Sequence, residues 1–233
     1  MTETLTRRER IRRDTSAEIL RIAVELLVEG GPSAVALRSI ARRIGMTPAA
    51  LYGYFPTRDD LVTELVAQMY DDLLAAVERG RDSASDPAGR VLGWAAAYRQ
   101  WALENPGGFR LVYGDPVPGY RAPTEGPSVE AEQRACAALS DLVARVWPDD
   151  RREDGGFRFA DFAPELVEAA RAVDPEVPPA AVAFTLRAWG RIHGLVALEV
   201  HGHLDGLTDR VGDLHRAEVV ALLAELGHVV PDL

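Results

Sequence analysis

Leu37-Arg-Ser-Ile-Ala-Arg-Arg-Ile-Gly-Met-Thr-Pro-Ala-Ala-Leu-Tyr-Gly-Tyr-Phe55 is the stretch on which the reading of this chain turns. Leu37, Ile40, Ala41 and Ile44 recur at helical spacing and predict a short helix over 37–44, buried through those four residues. A tight turn is expected at Gly45, and a second, very short helix over Pro48–Tyr54. Two helices joined by a glycine turn make a helix-turn-helix, whose second helix can enter a DNA major groove. That helix is too short to stand alone. Leu51 and Phe55, four apart, are expected to anchor it, with Ala50 beside them. Thr47, Pro48, Ala49, Tyr52, Gly53 and Tyr54 are then left toward solvent or a groove. Thr47 sits at the helix N-terminus, where a hydroxyl and backbone N–H groups suit a phosphate.

Working outward, Ile19, Ile22, Ala23, Leu26 and Leu27 predict a preceding helix, stopped by Gly30-Gly31-Pro32. Ser16 is its expected N-cap, with Arg7–Arg13 a basic arm in front. On the other side Pro56-Thr57 breaks the pattern. Thr57 caps a fourth helix whose first-turn Asp59 and Asp60 favour its dipole. Leu61, Leu65, Met69 and Leu73 carry it to about Gly80, long enough to join a head rigidly to a body. Further helices are expected from Pro87 to Glu104, Phe109 to Tyr113, Val129 to Val146, Pro164 to Val173, Pro178 to His203 and Val211 to Leu226. Gly114–Ser128, with four prolines, reads as an irregular loop, and Pro148–Gly156 as a polar connection.

The chain has 233 residues, 47% of them hydrophobic, and a net charge of −10. That length suits one large domain or two modest ones with a real core. The acidic balance argues against a nucleic-acid partner until its distribution is read. Residues 1–58 hold ten arginines against six acids, and residues 59–233 hold sixteen against thirty. A head of +4 and a body of −14 suit a protein that touches phosphates at one end only. All 26 basic residues are arginine, which fits base-compositional bias. No run of about 18 apolar residues occurs, and the opening residues lack an apolar signal core. A cytoplasmic protein without membrane contact is expected. The single Cys136 is expected as a buried small hydrophobe.

Ser39-Ile-Ala41, Gly45-Met-Thr47, Ala50-Leu-Tyr-Gly-Tyr-Phe55 and Arg58-Asp-Asp-Leu-Val62 resemble the N-terminal domain of the tetracycline-repressor (TetR) family of transcriptional regulators. The resemblance covers about residues 14–62. It implies that Tyr52 and Tyr54 contact the DNA backbone and that Arg58 clamps a phosphate. Arg38, at the start of the preceding helix, is the candidate for a bidentate guanine contact. Small Ala49 and Gly53 permit close approach. Arg42 and Arg43 read as solvated surface. Two departures stand out: Tyr54 replaces a frequent His, and Gly53 stands where a larger side chain often touches DNA. Base reading is therefore expected to rest on Arg38 and Thr47–Ala49.

The resemblance further implies an all-α architecture. A helix-turn-helix DNA-binding domain spans residues 1–58, and a larger helical-bundle domain over 59–233 dimerises and holds an inducer. Ala188-Trp-Gly-Arg-Ile-His-Gly-Leu-Val-Ala-Leu-Glu-Val-His-Gly202 resembles one C-terminal subclass, marked by Trp and then His-Gly. Val182, Leu186, Trp189, His193, Val196 and Val200 share one helical face. Gly190, Gly194 and Ala197 mark another where helices of a dimer can approach. Trp94, Tyr98 and Trp101 fall on one face, followed by Phe109 and Tyr113, and suit an apolar or aromatic inducer. Arg187 and His193 are the polar candidates. The same aromatics also suit a plain core, and His193 a core histidine.

Catalytic and metal chemistry find no constellation. The chain carries no phosphate-binding glycine motif, nucleophile elbow or zinc spacing. His201-Gly-His203 places its rings on different helix faces, and Asp59-Asp60 and Asp149-Asp150 read as solvated turns. No metal, cofactor or enzyme activity is expected. The expected function is a ligand-responsive homodimeric regulator, usually a repressor, that binds palindromic double-stranded operator DNA and is released by a small-molecule inducer. The alternatives are an activator, or a protein of this fold acting through a protein partner.

Overall fold

A computed structural model describes residues 6–114, 117–148 and 156–230. Asp149-Asp150 and most of the 148–156 connection lie outside the described residues. Among those described, the chain is all-helical, with no strand. Its helices are α1 (Arg7–Gly30), α2 (Leu37–Ile44), α3 (Pro48–Tyr52), α4 (Arg58–Asp82) and α5 (Pro87–Glu104). They continue with α6 (Pro106–Tyr113), α7 (Pro127–Ala144), α8 (Pro164–Val173), α9 (Pro179–Val200) and α10 (Val211–Glu225). No described helix is long and apolar enough to cross a membrane.

The chain packs as two compact units, residues 1–70 with 105–131 and residues 71–104 with 132–233. The first gathers α1, α2, α3, the first half of α4, and α6. Its core is built from Ile19, Leu27, Ile40, Leu51, Leu61 and Phe109, each 1% exposed or less. α6 lies directly on α1. A Cβ at Gly107 would fall 2.8 Å from the carbonyl oxygen of Leu27, so only glycine permits that approach. In the second unit α5 packs on α9 and α10, which pack on each other, and α8 packs on α9. Tyr98, Ile192, Val196 and Leu223 are buried at its centre. A satellite cluster joins Ala170, Val177, Ala181 and Val182 to Trp147, Phe159 and Phe162.

Several expectations about element ends are corrected. The basic arm is not an arm: residues 7–13 are the first two turns of α1. Thr6 caps them, its side chain accepting from Glu9 N–H while Glu9 reaches back to the Thr6 N–H at 2.7 Å. This reciprocal capping box outcompetes Ser16, which sits in mid-helix. α3 ends at Tyr52 rather than Tyr54, and α6 begins at Pro106, a residue suited to a first turn. α9 stops at Val200, before the left-handed Gly202 and Gly206. Cys136 is exposed on α7, not buried, because that helix turns Ala131, Leu139 and Leu142 inward. Partial desolvation and Glu132 push its thiol upward, away from a reactive thiolate.

Candidate functional site

α2 and α3 meet through Gly45, which is left-handed at φ 75°. The Met46 N–H donates to Ala41 O at 2.9 Å, closing the helix end while the chain reverses. Thr47 caps α3, its hydroxyl accepting from the Ala50 N–H at 3.2 Å. Within α3 only Leu51 is buried, and Phe55 joins it below. Thr47, Pro48, Ala49, Tyr52 and Gly53 are exposed, and Tyr54 is half-buried. Ala50 faces solvent rather than the inner side. Gly53 is right-handed at φ −69°, so its backbone does not require glycine, but a Cβ would press to 3.2 Å on Ala50 O.

Arginines around this surface divide into held and unheld. Arg43 is bound to both Glu29 oxygens at 2.7 and 2.6 Å and lies 3.6 Å from Glu25, holding the Glu29 carboxyl below its usual range. Arg38 and Arg42 are exposed and make no ion pair among the described residues. Arg58 departs from the expectation of a phosphate clamp. It is half-buried and donates Nε to Val35 O at 3.2 Å and Nη1 to Pro118 O at 2.9 Å. The described part of the following loop, residues 117–126, is thereby part of this unit, held also by Tyr120, whose hydroxyl lies 2.9 Å from that of Thr63. Nothing local in the sequence marks Pro118 or Tyr120 for that role.

The candidate ligand residues divide between the units. Phe109 and Tyr113 belong to the first, where Phe109 is fully buried and Tyr113 meets Tyr70 edge-on. The second brings together Trp94, Tyr98 and His193. Trp94 and Tyr98 stack with centroids 5.6 Å apart, and the Tyr98 hydroxyl lies 2.7 Å from His193 Nδ1. Trp189, not among the expected ligand residues, stacks on His193 at 4.8 Å. Trp94 Nε1 is buried without a hydrogen-bond partner among the described residues. Trp101 is buried on the same helix. Arg187 departs from expectation: it is exposed and bound to Glu225 at 2.8 Å. A separate apolar pocket in this unit is lined by Val91, Leu142, Val146, Phe184, Ile192 and Leu222 among others. On α9 the expected stripe is split: Val182, Val196 and Val200 are buried, while Leu186 is 48% exposed. His201 and His203 lie beyond the end of α9, so their rings come parallel at 6.2 Å instead of pointing apart.

Burial pushes the His193 imidazole below its ordinary 6.5, with His201 adding to the effect. Burial does the same to His215, where Arg99 adds and Glu199 opposes. Below 6.5 the unfolded chain therefore binds protons that the folded chain refuses. Their contribution to stability is complete above that pH and is lost as the pH falls through it. The melting temperature read by tryptophan fluorescence should fall between about pH 7 and about pH 5. Carboxylates such as Glu29 and Glu225, held below their ordinary 4.5, add their loss mainly at more acid pH. A melting temperature flat over that window would contradict the assignment.

Comparison with known proteins supplies the context. Residues 19–65 match the family described as bacterial regulatory proteins, tetR family, and residues 91–222 match the tetracyclin repressor-like C-terminal domain. The chain is 31% identical to the HTH-type transcriptional regulator Rv1816 of Mycobacterium tuberculosis, over 94% of this chain and 96% of that one. The solved structure of the regulatory protein SCO4313 superposes with a TM-score of 0.74 at 34% identity, covering 94% of this chain and all of that one. A Rhodococcus sp. RHA1 protein of unknown function shares the fold, with a TM-score of 0.67 at 24% identity over 91% of this chain and 95% of that one.

Proposed function

Because the chain belongs to the tetracycline-repressor family of DNA-binding transcriptional regulators, we propose that it is a homodimeric repressor released from palindromic operator DNA by a small-molecule inducer. Residues 1–58 read the DNA, and residues 59–233 dimerise and hold the ligand, in a C-terminal domain of the Trp and His-Gly type. One observation carries this reading: α3 exposes Thr47, Pro48, Ala49, Tyr52 and Gly53 around a single buried anchor. Arg38 takes a guanine through two N–H groups. Thr47 and the first N–H groups of α3 meet a phosphate, and Tyr52 and Tyr54 contact the backbone. Arg58 chiefly braces Val35 and Pro118 and keeps Nη2 for a phosphate.

Two heads place their α3 helices in successive major grooves about one turn or a multiple apart. Dimerisation through α9 and α10 is supported by Leu186, Leu198 and Leu214, each more than 40% exposed, and by the open space around Gly190 and Gly194. The Trp94, Tyr98 and His193 cluster receives an apolar or aromatic ligand. The orphaned Trp94 N–H favours one carrying a hydrogen-bond acceptor, since a buried donor left unmade is costly. Ligand binding shifts the population toward a dimer whose heads no longer fit the operator. α4, continuous from Arg58 to Asp82, links the two parts of the chain.

Band shifts on duplexes from upstream of the chain's own gene test this. Arg38→Ala should lose about 10- to 100-fold in preference for the operator over a scrambled duplex, the worth of one bidentate base contact. Arg58→Ala should weaken both duplexes alike. An intact preference in Arg38→Ala removes Arg38 from the readout, and no retardation of any palindrome there at low salt overturns the whole reading. In a thermal-shift screen, a stabilising compound that also frees DNA supports the inducer, and one that tightens DNA binding overturns it.

A further inference from the structure

The core-facing stripe of α1 continues past the core. Leu27, Ala23, Ile22 and Ile19 are buried. Stepping back by three or four residues, the stripe passes Ser16 and Thr15 and reaches Arg12 and Arg8. The Arg12 guanidinium carbon sits 5.5 Å from the centre of the Tyr54 ring, within cation–π reach. Tyr54 lies two residues beyond α3, so Arg12 stands at the edge of the surface that faces the groove. Arg8, one turn earlier on the same face, extends that edge. Both arginines are exposed, and neither makes an ion pair among the described residues.

The acids of the segment are already engaged. Glu9 closes the capping box with Thr6, and Asp14 lies 3.5 Å from Arg13. Folding alone gives no reason for the remaining cations. Arginines in the opening turns of a helix oppose its dipole, and these positions prolong a stripe that is apolar from Leu27 to Ile19 and half-buried at Ser16 and Thr15. An external anion resolves both features.

The geometry points to a second grip on the DNA backbone. Arg8 and Arg12 each hold a phosphate flanking the bases that α3 faces, and the Tyr54 ring is the platform that aims Arg12. The proposal rests on the DNA-binding reading above. The capping box gives it its form, because it presents the two cations on a helix instead of a loose arm, at a spacing the helix sets.

The experiment measures affinity for the upstream duplex at a series of salt concentrations, with wild type, Arg8→Gln, Arg12→Gln, the double variant and Arg13→Gln. Each phosphate contact contributes about one to the slope of log affinity against log salt. Each single variant should lose about one from that slope, and the double variant about two. The preference for operator over scrambled duplex should be unchanged. Arg13→Gln, on another face and paired with Asp14, should keep the wild-type slope. All are exposed positions, and helical circular dichroism checks that each variant folds. A double variant with the wild-type slope, or an Arg13→Gln that loses as much as Arg12→Gln, overturns the proposal. A wild type that binds no duplex overturns the DNA reading, and the proposal with it.

Discussion

Gly93→Ala lowers the stability of the chain, although alanine is the better helix former. α4 and α5 cross with backbone against backbone. A Cβ at Gly93 would fall 2.2 Å from the carbonyl oxygen of Gly80, and a Cβ at Gly80 would fall 2.4 Å from that of Gly93. Neither obstacle is the flexible end of a side chain, so relief requires the two helices to separate. Removing a helical glycine returns about 0.5 to 1 kcal/mol. Forcing one carbon into a closed contact costs about 1 to 3 kcal/mol, and backbone contacts lie at the upper end. The steric term wins by about 2 kcal/mol, which for a chain of this size is a fall of about 4 to 8 °C in melting temperature. All four tryptophans, Trp94, Trp101, Trp147 and Trp189, lie in the same unit as Gly80 and Gly93, so their fluorescence reports the change directly. A variant that melts at or above the wild-type temperature removes the close crossing.

That crossing also marks the limit of what the sequence discloses. Gly80 reads as a helix stop, and nothing local marks Gly93 as its partner, 13 residues on across a turn. α2, by contrast, is legible in its bounds, although Ile44 is half-buried where burial is expected. Its apolar positions repeat at one period, and glycine closes it. Local chemistry is legible where one signal stands alone and misread where two compete, as at Thr6 and Ser16. Arg58 is only half legible, for a different reason. Its acceptors, Val35 and Pro118, are 23 and 60 residues distant, and a carbonyl oxygen leaves no trace in a sequence. The aromatic positions of α5 were readable as a stripe, but the bond from Tyr98 to His193 spans 95 residues. Phe109 and Tyr113 resemble that stripe in type, yet Gly107, which seats α6 on α1, places them in the other unit. Composition alone makes the candidate DNA surface plausible, through the +4 head; which arginines are unheld depends on where the folded chain puts Glu25 and Glu29.

Leu51→Ala should abolish specific DNA binding while leaving the tryptophan emission of the folded chain unchanged. α3 is five residues long, far below the length at which a helix persists in water. Its cap and its proline start it, but Leu51 is the one buried residue within it, beneath an otherwise exposed surface, with Phe55 joining only beyond its end. Truncating a buried leucine costs about 2 to 5 kcal/mol, depending on how far the site collapses. The cost falls where there is least else to absorb it, so α3 detaches before α1, α2 or α6 lose their packing. Thr47, Ala49 and Tyr52 then lose their common geometry. Arg38 retains its place on α2 and sustains only the salt-dependent, sequence-independent part of the affinity. Leu51→Met, close in volume, should cost less than about 1.5 kcal/mol and keep a measurable operator preference. The pair is read by band shifts on operator and scrambled duplexes beside an emission spectrum. Retention of operator preference by Leu51→Ala within about twofold of wild type means that α3 has another anchor, and the same result with Arg38→Ala shifts base reading away from this motif altogether.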